Sequence, residues 1–134
     1  MGVDMDQVSE YVVKVVRDID AEASVRDAAV NLDSLSIGSL MVKKNNDFVG
    51  MVSETEITRR LVAKGFDPSR TCVADIMNTN IDYIDKAETM SKAIAIMREK
   101  KLRYLVVRDE KTVEGILSVK DLLAYYEKWF ALII

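Results

Sequence analysis

Histidine is absent from this 134-residue sequence. That removes the commonest general base, the usual nucleophilic triads and the commonest metal ligand. Only one cysteine is present, Cys72, so no intramolecular disulfide can form and a thiolate metal cluster is excluded. Cys72 reads as a small apolar residue near a connection rather than as a reactive thiol. A basic surplus is also missing: 19 Lys and Arg face 22 Asp and Glu, for a net charge of −3. A generic nucleic-acid binder needs such a surplus to neutralise phosphates, so no nucleic-acid partner is expected. No stretch approaches the roughly 18 apolar residues of a membrane span. The polar, acidic N-terminus lacks the layout of a secretory signal. A cytoplasmic protein without a membrane partner is the expectation.

What the sequence does contain is a repeat. Hydrophobic residues make up 49% and charged residues 31%, an ordinary globular balance that suits one compact domain or two small fused halves. Gly50-Met-Val-Ser-Glu-Thr-Glu-Ile57 returns 65 residues later as Gly115-Ile-Leu-Ser-Val-Lys-Asp-Leu122. The same offset pairs Val8 with Val73, Ile19 with Ile84, Asp20 with Asp85 and Ala28 with Ala93. It also pairs Leu40 with Leu105, Val42 with Val107 and Ser53 with Ser118. The register is expected to run without a gap from Val8 to Leu61 and from Val73 to Tyr126.

Each repeat reads alike. A short helical turn (Val8 to Val12; Val73 to Met77) leads into an extended piece ending at Ile19 or Ile84. Ser24 and Thr89 then cap amphipathic helices whose apolar faces are Val25, Ala28, Ala29, Leu32 and Met90, Ala93, Ile94, Met97. Two short strands follow, Ser39 to Val42 with Phe48 to Val52, and Tyr104 to Val107 with Val113 to Leu117. Polar turns over 43–47 and 108–112 join them. A helix closes each repeat, Glu54 to about Lys64 and Val119 to about Phe130. Gly65 and the only proline, Pro68, mark a linker. The expected fold is α/β, two βαββα repeats (1–64 and 73–134, with 65–72 as linker) packed with pseudo-two-fold symmetry. Packing of two such small halves would leave clefts suited to small ligands.

This order of elements, ending each time in Gly-apolar-apolar-Ser-x-x-acid, resembles the cystathionine β-synthase (CBS) domain. The linker Gly65-Phe-Asp-Pro68 with Val73-Ala-Asp-Ile-Met77 is similar to what joins paired CBS repeats. The resemblance covers both repeats, from about Val8 to Trp129. It implies a stand-alone tandem pair, a Bateman module, that is not an enzyme. Such a module would sense an adenine nucleotide (AMP, ADP or ATP) or another adenosyl compound in a cleft between the repeats. It would form a homodimer and transmit its state to a partner protein. No cofactor is implied beyond that regulatory ligand. In the family pattern the motif Ser contacts phosphate and the acid three residues later holds the ribose. Carried over, the second site comprises Tyr83, Arg103, Tyr104, Leu105, Ile116, Ser118, Lys120 and Asp121. A weaker first site comprises Asp18, Ser39, Leu40, Met51, Ser53 and Glu56. Tyr83 and Asp18 would face the base.

Physical chemistry supports these roles. Ser118 opens an expected helix, where free amides and the positive dipole end favour an anion. An acid at 121 can accept both ribose hydroxyls. Lys101, Arg103 and Lys120 add positive charge, and Arg103 offers a planar fork for phosphate. Yet Ser53-Glu-Thr-Glu56 is also a capping box, and Ser118-Val-Lys-Asp121 is nearly one, so each Ser caps its helix with or without a ligand. The first motif carries Glu56 in place of the usual Asp, with Asp18 and Glu54 adding negative charge that Lys43 and Lys44 would offset. In the second, Tyr104-Leu105-Val106 follows Arg103 where His-x-Pro is frequent.

The remaining features read as structural. The seven methionines are mostly core filler. Tyr125, Tyr126, Trp129, Phe130 and Leu132 to Ile134 form an apolar helix end that packs on the N-terminal turn or across a dimer. Lys43 and Lys44 mark a solvated hairpin tip. The competing readings are a ligand-independent dimeric scaffold, whose serines only cap, and an enzyme. For an enzyme, Glu56 with Asp18 is the one acid–base pair, with no nucleophile evident.

Overall fold

A computed structural model of the chain describes residues 6–12 and 14–133. Its elements are a 3-10 turn (Val8–Glu10), β1 (Asp18–Asp20), α1 (Val25–Leu35), β2 (Ser39–Lys44), β3 (Asp47–Ser53), α2 (Glu54–Glu56) running into a π-helical segment (Ile57–Val62), α3 (Val73–Ile76), β4 (Tyr83–Asp85), α4 (Met90–Lys100), β5 (Tyr104–Asp109), β6 (Thr112–Ser118) and α5 (Val119–Ile133). The fold is mixed α/β, with two three-stranded sheets in the orders β1-β2-β3 and β4-β5-β6. In each sheet the first pair is parallel, crossed over by a helix, and the second pair is an antiparallel hairpin.

The chain divides into two compact units, Arg17–Ile81 and the described residues up to Val16 together with those from Asp82 onward. Sequence repeats and compact units are therefore cut differently. The turn that opens each repeat leaves it and joins the other unit. Val73 and Ile76 of α3 are buried with Ile19, Val25, Leu32, Leu40 and Val52. Their backbone is tied there by Val73 N–H to Ala23 O (2.8 Å) and Ala74 N–H to Ala21 O (2.9 Å). Val8 and Val12 are buried with Ile84, Met90, Met97, Leu105 and Leu117. Val8 N–H reaches Glu88 O at 2.9 Å, and Met90 N–H reaches Asp6 O at 2.8 Å. A short apolar turn cannot bury itself, so it completes whichever core the chain path brings beside it.

The capped helices form where the sequence places them. Ser24 Oγ accepts from Asp27 N–H at 3.1 Å, and Thr89 Oγ1 from Lys92 N–H at 3.2 Å. Val25, Ala28 and Leu32, and Met90, Ala93 and Met97, point into the two cores. Ala29 and Ile94, expected on those faces, lie at their edges, Ala29 exposed and Ile94 half-buried. Each helix ends on a left-handed residue, Ser36 (φ 53°) and Lys101 (φ 55°). Of the methionines, Met41, Met51, Met90 and Met97 are buried and Met77 packs against a core. Met1 and Met5 lie outside the described residues.

Three expectations change. The hairpins are tighter than a five-residue turn: β2 and β3 extend to Lys44 and Asp47 around Asn45-Asn46, both at positive φ (51° and 67°). That is type I′ geometry, which matches the strand twist. The second helix of the first repeat is α-helical for only Glu54–Glu56 before widening into the π segment. The π segment takes up one extra residue, so the ungapped register breaks there. Leu61 is 2% exposed and matches Tyr125 at 2%, whereas its expected partner Tyr126 is 43% exposed. Gly50 is required by packing: a Cβ there would lie 2.7 Å from Met77 Sδ and 3.0 Å from Asn78 O.

Candidate functional site

Strand alternation sorts the residues of the second sheet onto two faces. Ile84, Leu105, Val107 and Leu117 turn to the core. The opposite face carries a row formed by Tyr83, Val106 and Ile116, each in register with the next. Beside that row Tyr104 lies opposite Ser118, where β6 ends and α5 begins. Ser118 N–H and Oγ–H donate to Asp121 Oδ2 at 2.8 and 3.1 Å. Both groups are half-buried, and both bonds end on one carboxylate oxygen. The first turn of α5 is anchored by Val119 N–H to Arg103 O at 3.2 Å. Lys101, Arg103 and Lys120 are exposed there, while Lys100 pairs with Asp82 at 2.6 Å.

The first sheet repeats the layout with a tighter result. Asp18, Met41 and Met51 form the matching row, and Ser39 lies opposite Ser53. Ser53 N–H and Oγ–H both donate to Glu56 Oε1, at 2.7 and 2.6 Å, and Ser53 Oγ accepts from Thr55 N–H at 3.2 Å. Ser39, Ser53 and Glu56 are all buried, Glu56 being 8% exposed. The extra methylene of Glu folds its carboxylate back over the helix start, closing a complete capping box. Asp18 is engaged by Lys43 at 3.8 Å, and that ammonium also lies 5.9 Å from the Phe48 ring centroid. Lys43 is thus a neighbour of the motif face rather than a free hairpin tip. Glu56 and Asp18, the one acid–base pair available to an enzyme reading, are each engaged by another side chain.

Two expected contacts do not face either motif. The side chains of Leu105 and Leu40 are 0% and 1% exposed and belong to the cores. Period-two alternation forces this, because Tyr104 and Ser118 occupy the other face. The same alternation would have identified Val106 and Met41 as the central residues of their rows. Arg108 was also missed. Its guanidinium lies over the Tyr83 ring, 4.3 Å from the centroid.

Outside these motifs, Lys86 sits between Asp109 (3.0 Å) and Glu114 (3.7 Å), and the Asp109 hydrogen bond raises its pKa above the usual lysine value. Asp6 holds a second cluster. Lys128 Nζ and Tyr11 Oη donate to Asp6 Oδ2 at 2.8 and 2.6 Å, and the Lys128 bond, then the Tyr11 bond, lower the Asp6 pKa. A groove of about 300 Å³ runs between α4 and α5, lined by Ile94, Arg98, Tyr125, Tyr126 and Trp129 among others. None of the expected ligand contacts lines it. Among the described residues no cluster of acids and cysteine could hold a metal ion, and no helix is long and apolar enough to cross a membrane.

The CBS-domain family profile matches residues 73–128. A solved CBS domain, NE2398, superposes with a TM-score of 0.83 at 28% identity, over 90% of this chain and 97% of that one. Residues 73–128 form a CBS domain. A CBS-domain protein of Burkholderia ambifaria, provisionally assigned to signal transduction, is similar at 26% identity and a TM-score of 0.79, covering 82% of this chain and 81% of its own. The CBS domain-containing protein YhcV of Bacillus subtilis is 23% identical over 118 residues, 88% of this chain and 84% of the relative. Of two further curated relatives the chain spans 50% and 31%. In CBS terms, each repeat contributes its Ser-x-x-acid motif at the junction of last strand and last helix, one half-open and one closed.

Proposed function

We propose that this CBS protein is a regulatory ligand-sensing module rather than an enzyme. Its second repeat takes an adenine nucleotide or related adenosyl compound and passes the bound state to a separate protein. The observation that carries this reading is the contrast between the motifs. In both motifs the Ser is bonded to its acid, but Ser118 and Asp121 are half-buried beside the exposed Arg103 and Lys120, while Ser53 and Glu56 are buried. An anion arriving at the α5 N-terminus meets the positive end of the helix dipole, the Ser118 hydroxyl and the exposed Arg103 and Lys120. Asp121 keeps Oδ1 for a ribose hydroxyl while Oδ2 holds Ser118. The half-buried Tyr83 and Ile116, on either side of the buried Val106, offer apolar surface for the base. The assignment of its Burkholderia relative supports a signalling role, and a homodimer belongs to the same reading.

A ligand-independent scaffold is favoured by one observation: the Asp121 carboxylate already accepts from the Ser118 N–H, as the acid of a capping box does. Calorimetric titration with ATP and AMP separates the two. As a sensor, Asp121→Ala weakens binding by at least tenfold and Glu56→Ala leaves it nearly unchanged. A scaffold gives no binding heat in any variant.

A further inference from the structure

Strand β5 carries a register shift between Val107 and Arg108, and β2 carries the same shift at the matching place, between Val42 and Lys43. An irregularity of this kind re-aims the side chain beside it. In each sheet the cation turns toward the first strand, but what it meets there differs. Lys43 meets the carboxylate of Asp18 and is neutralised. Arg108 meets the ring of Tyr83, which leaves its charge in place. The nearby carboxylates of Asp109 and Glu114 are held by Lys86. Among the described residues the Tyr83 ring is the only side chain that engages the Arg108 guanidinium, and Arg108 remains exposed.

We propose that Arg108 seats the base at the second motif: its guanidinium, backed by Tyr83, is the planar cation on which the purine ring stacks. The inference rests on the nucleotide reading above and names the residue that holds the base end. Arginine suits this role, because its planar head stacks on aromatic faces and bases stack on guanidinium planes as they do on aromatic rings. The position suits it as well. Tyr104 lies opposite Ser118, and Arg108 is four residues further along β5, about 13 Å at the rise of a strand. That spacing sets a phosphate end and a base end on one sheet, at the scale of a mononucleotide. Lys43 has no plane to offer and is tied to Asp18, so the first motif lacks this seat in addition to having its acid buried.

Calorimetric titration of the full chain with ATP and AMP tests this on Arg108→Ala, Arg108→Lys and Lys43→Ala, with circular dichroism as the control for folding. Arg108→Ala is expected to weaken binding by about tenfold, the scale of one lost base-stacking contact. Arg108→Lys keeps the charge and loses the plane, so it should weaken binding as much, whereas Lys43→Ala should bind as wild type does. Wild-type affinity in Arg108→Ala, with binding still lost in Asp121→Ala, overturns this inference and leaves the sensor reading standing. Wild-type affinity in Arg108→Lys, or an equal loss in Lys43→Ala, assigns the effect to charge alone and overturns the stack. No binding heat with wild type overturns this inference together with the sensor reading.

Discussion

Arg108 stacks on Tyr83 at 4.3 Å, and at the matching positions of the other repeat Lys43 pairs with Asp18 at 3.8 Å. The same two places on two related sheets thus join a cation to a π face in one case and to a carboxylate in the other. Because Tyr83 begins the apolar row that leads to Ile116, the guanidinium covers one end of the proposed base-binding surface. An exposed cation–π contact contributes roughly 0.5–1 kcal/mol. A double-mutant cycle of Tyr83→Ala and Arg108→Ala should return a coupling energy in that range by urea denaturation. Strict additivity would show the stack contributes nothing.

The Asp6 cluster gives the fold a defined pH response. Lys128 and Tyr11 hydrogen bonds hold the Asp6 carboxyl below its ordinary range. A depressed carboxyl stabilises the folded state above its unfolded pKa, and that stability is lost as pH falls through the folded value. Melting temperature should therefore drop more steeply for wild type than for Asp6→Asn as pH is lowered from neutral through the carboxylate range. Parallel profiles for the two proteins would remove the cluster from the account. On the alkaline side the sign reverses. The Asp6 hydrogen bond raises the Lys128 pKa, so its contribution is full below the unfolded lysine value and is lost as pH rises through the folded one.

Gly50 is expected to tolerate no side chain. Met77 can yield part of the space, but Asn78 O belongs to backbone held by two hydrogen bonds to Met51, at 2.9 and 2.8 Å. Gly50→Ala should cost about 1–3 kcal/mol in denaturant unfolding. A smaller loss would mean that the Met77–Asn78 segment moves aside easily.

Lys101 ends α4 in the left-handed region without being glycine. Lys101→Gly should raise stability by up to about 1 kcal/mol, because relief of the Cβ clash outweighs the added freedom of the unfolded chain. Thermal unfolding measures it, and a drop would point to an unrecognised role for the lysine stem.

The sequence made the repeat, both helix caps and both Ser-x-x-acid motifs legible, because each is a local pattern with a local cause. Ser24 and Thr89 cap their helices wherever they lie, and Val25, Ala28 and Leu32 share a face at any tertiary placement. What stayed hidden depended on neighbours distant along the chain. Nothing near Val73 says that it completes the core of Ile19 and Leu40 rather than its own repeat. The π segment was masked because Leu61 and Tyr126 are both apolar, so the ungapped register looked sound. At the site, Leu105 turns to the core, and alternation along β5 places Val106 on the face of Tyr104 and Ser118 instead. The unequal closure of the two motifs was only partly visible: Glu56 differs from Asp121 by one methylene, and burial then decides which carboxylate remains available.

Thermal melting with AMP, ADP, ATP, S-adenosylmethionine and NAD, on wild type and Asp121→Ala in parallel, tests the sensor reading most directly. A ligand at about 100 times its dissociation constant should stabilise wild type by roughly 2.7 kcal/mol, a shift of several degrees for a chain of this size. The expected result is such a shift with at least one of these compounds, abolished in Asp121→Ala and retained in Glu56→Ala. No shift with any of them at millimolar concentration, or a shift that Asp121→Ala leaves intact, would contradict ligand sensing at the second motif.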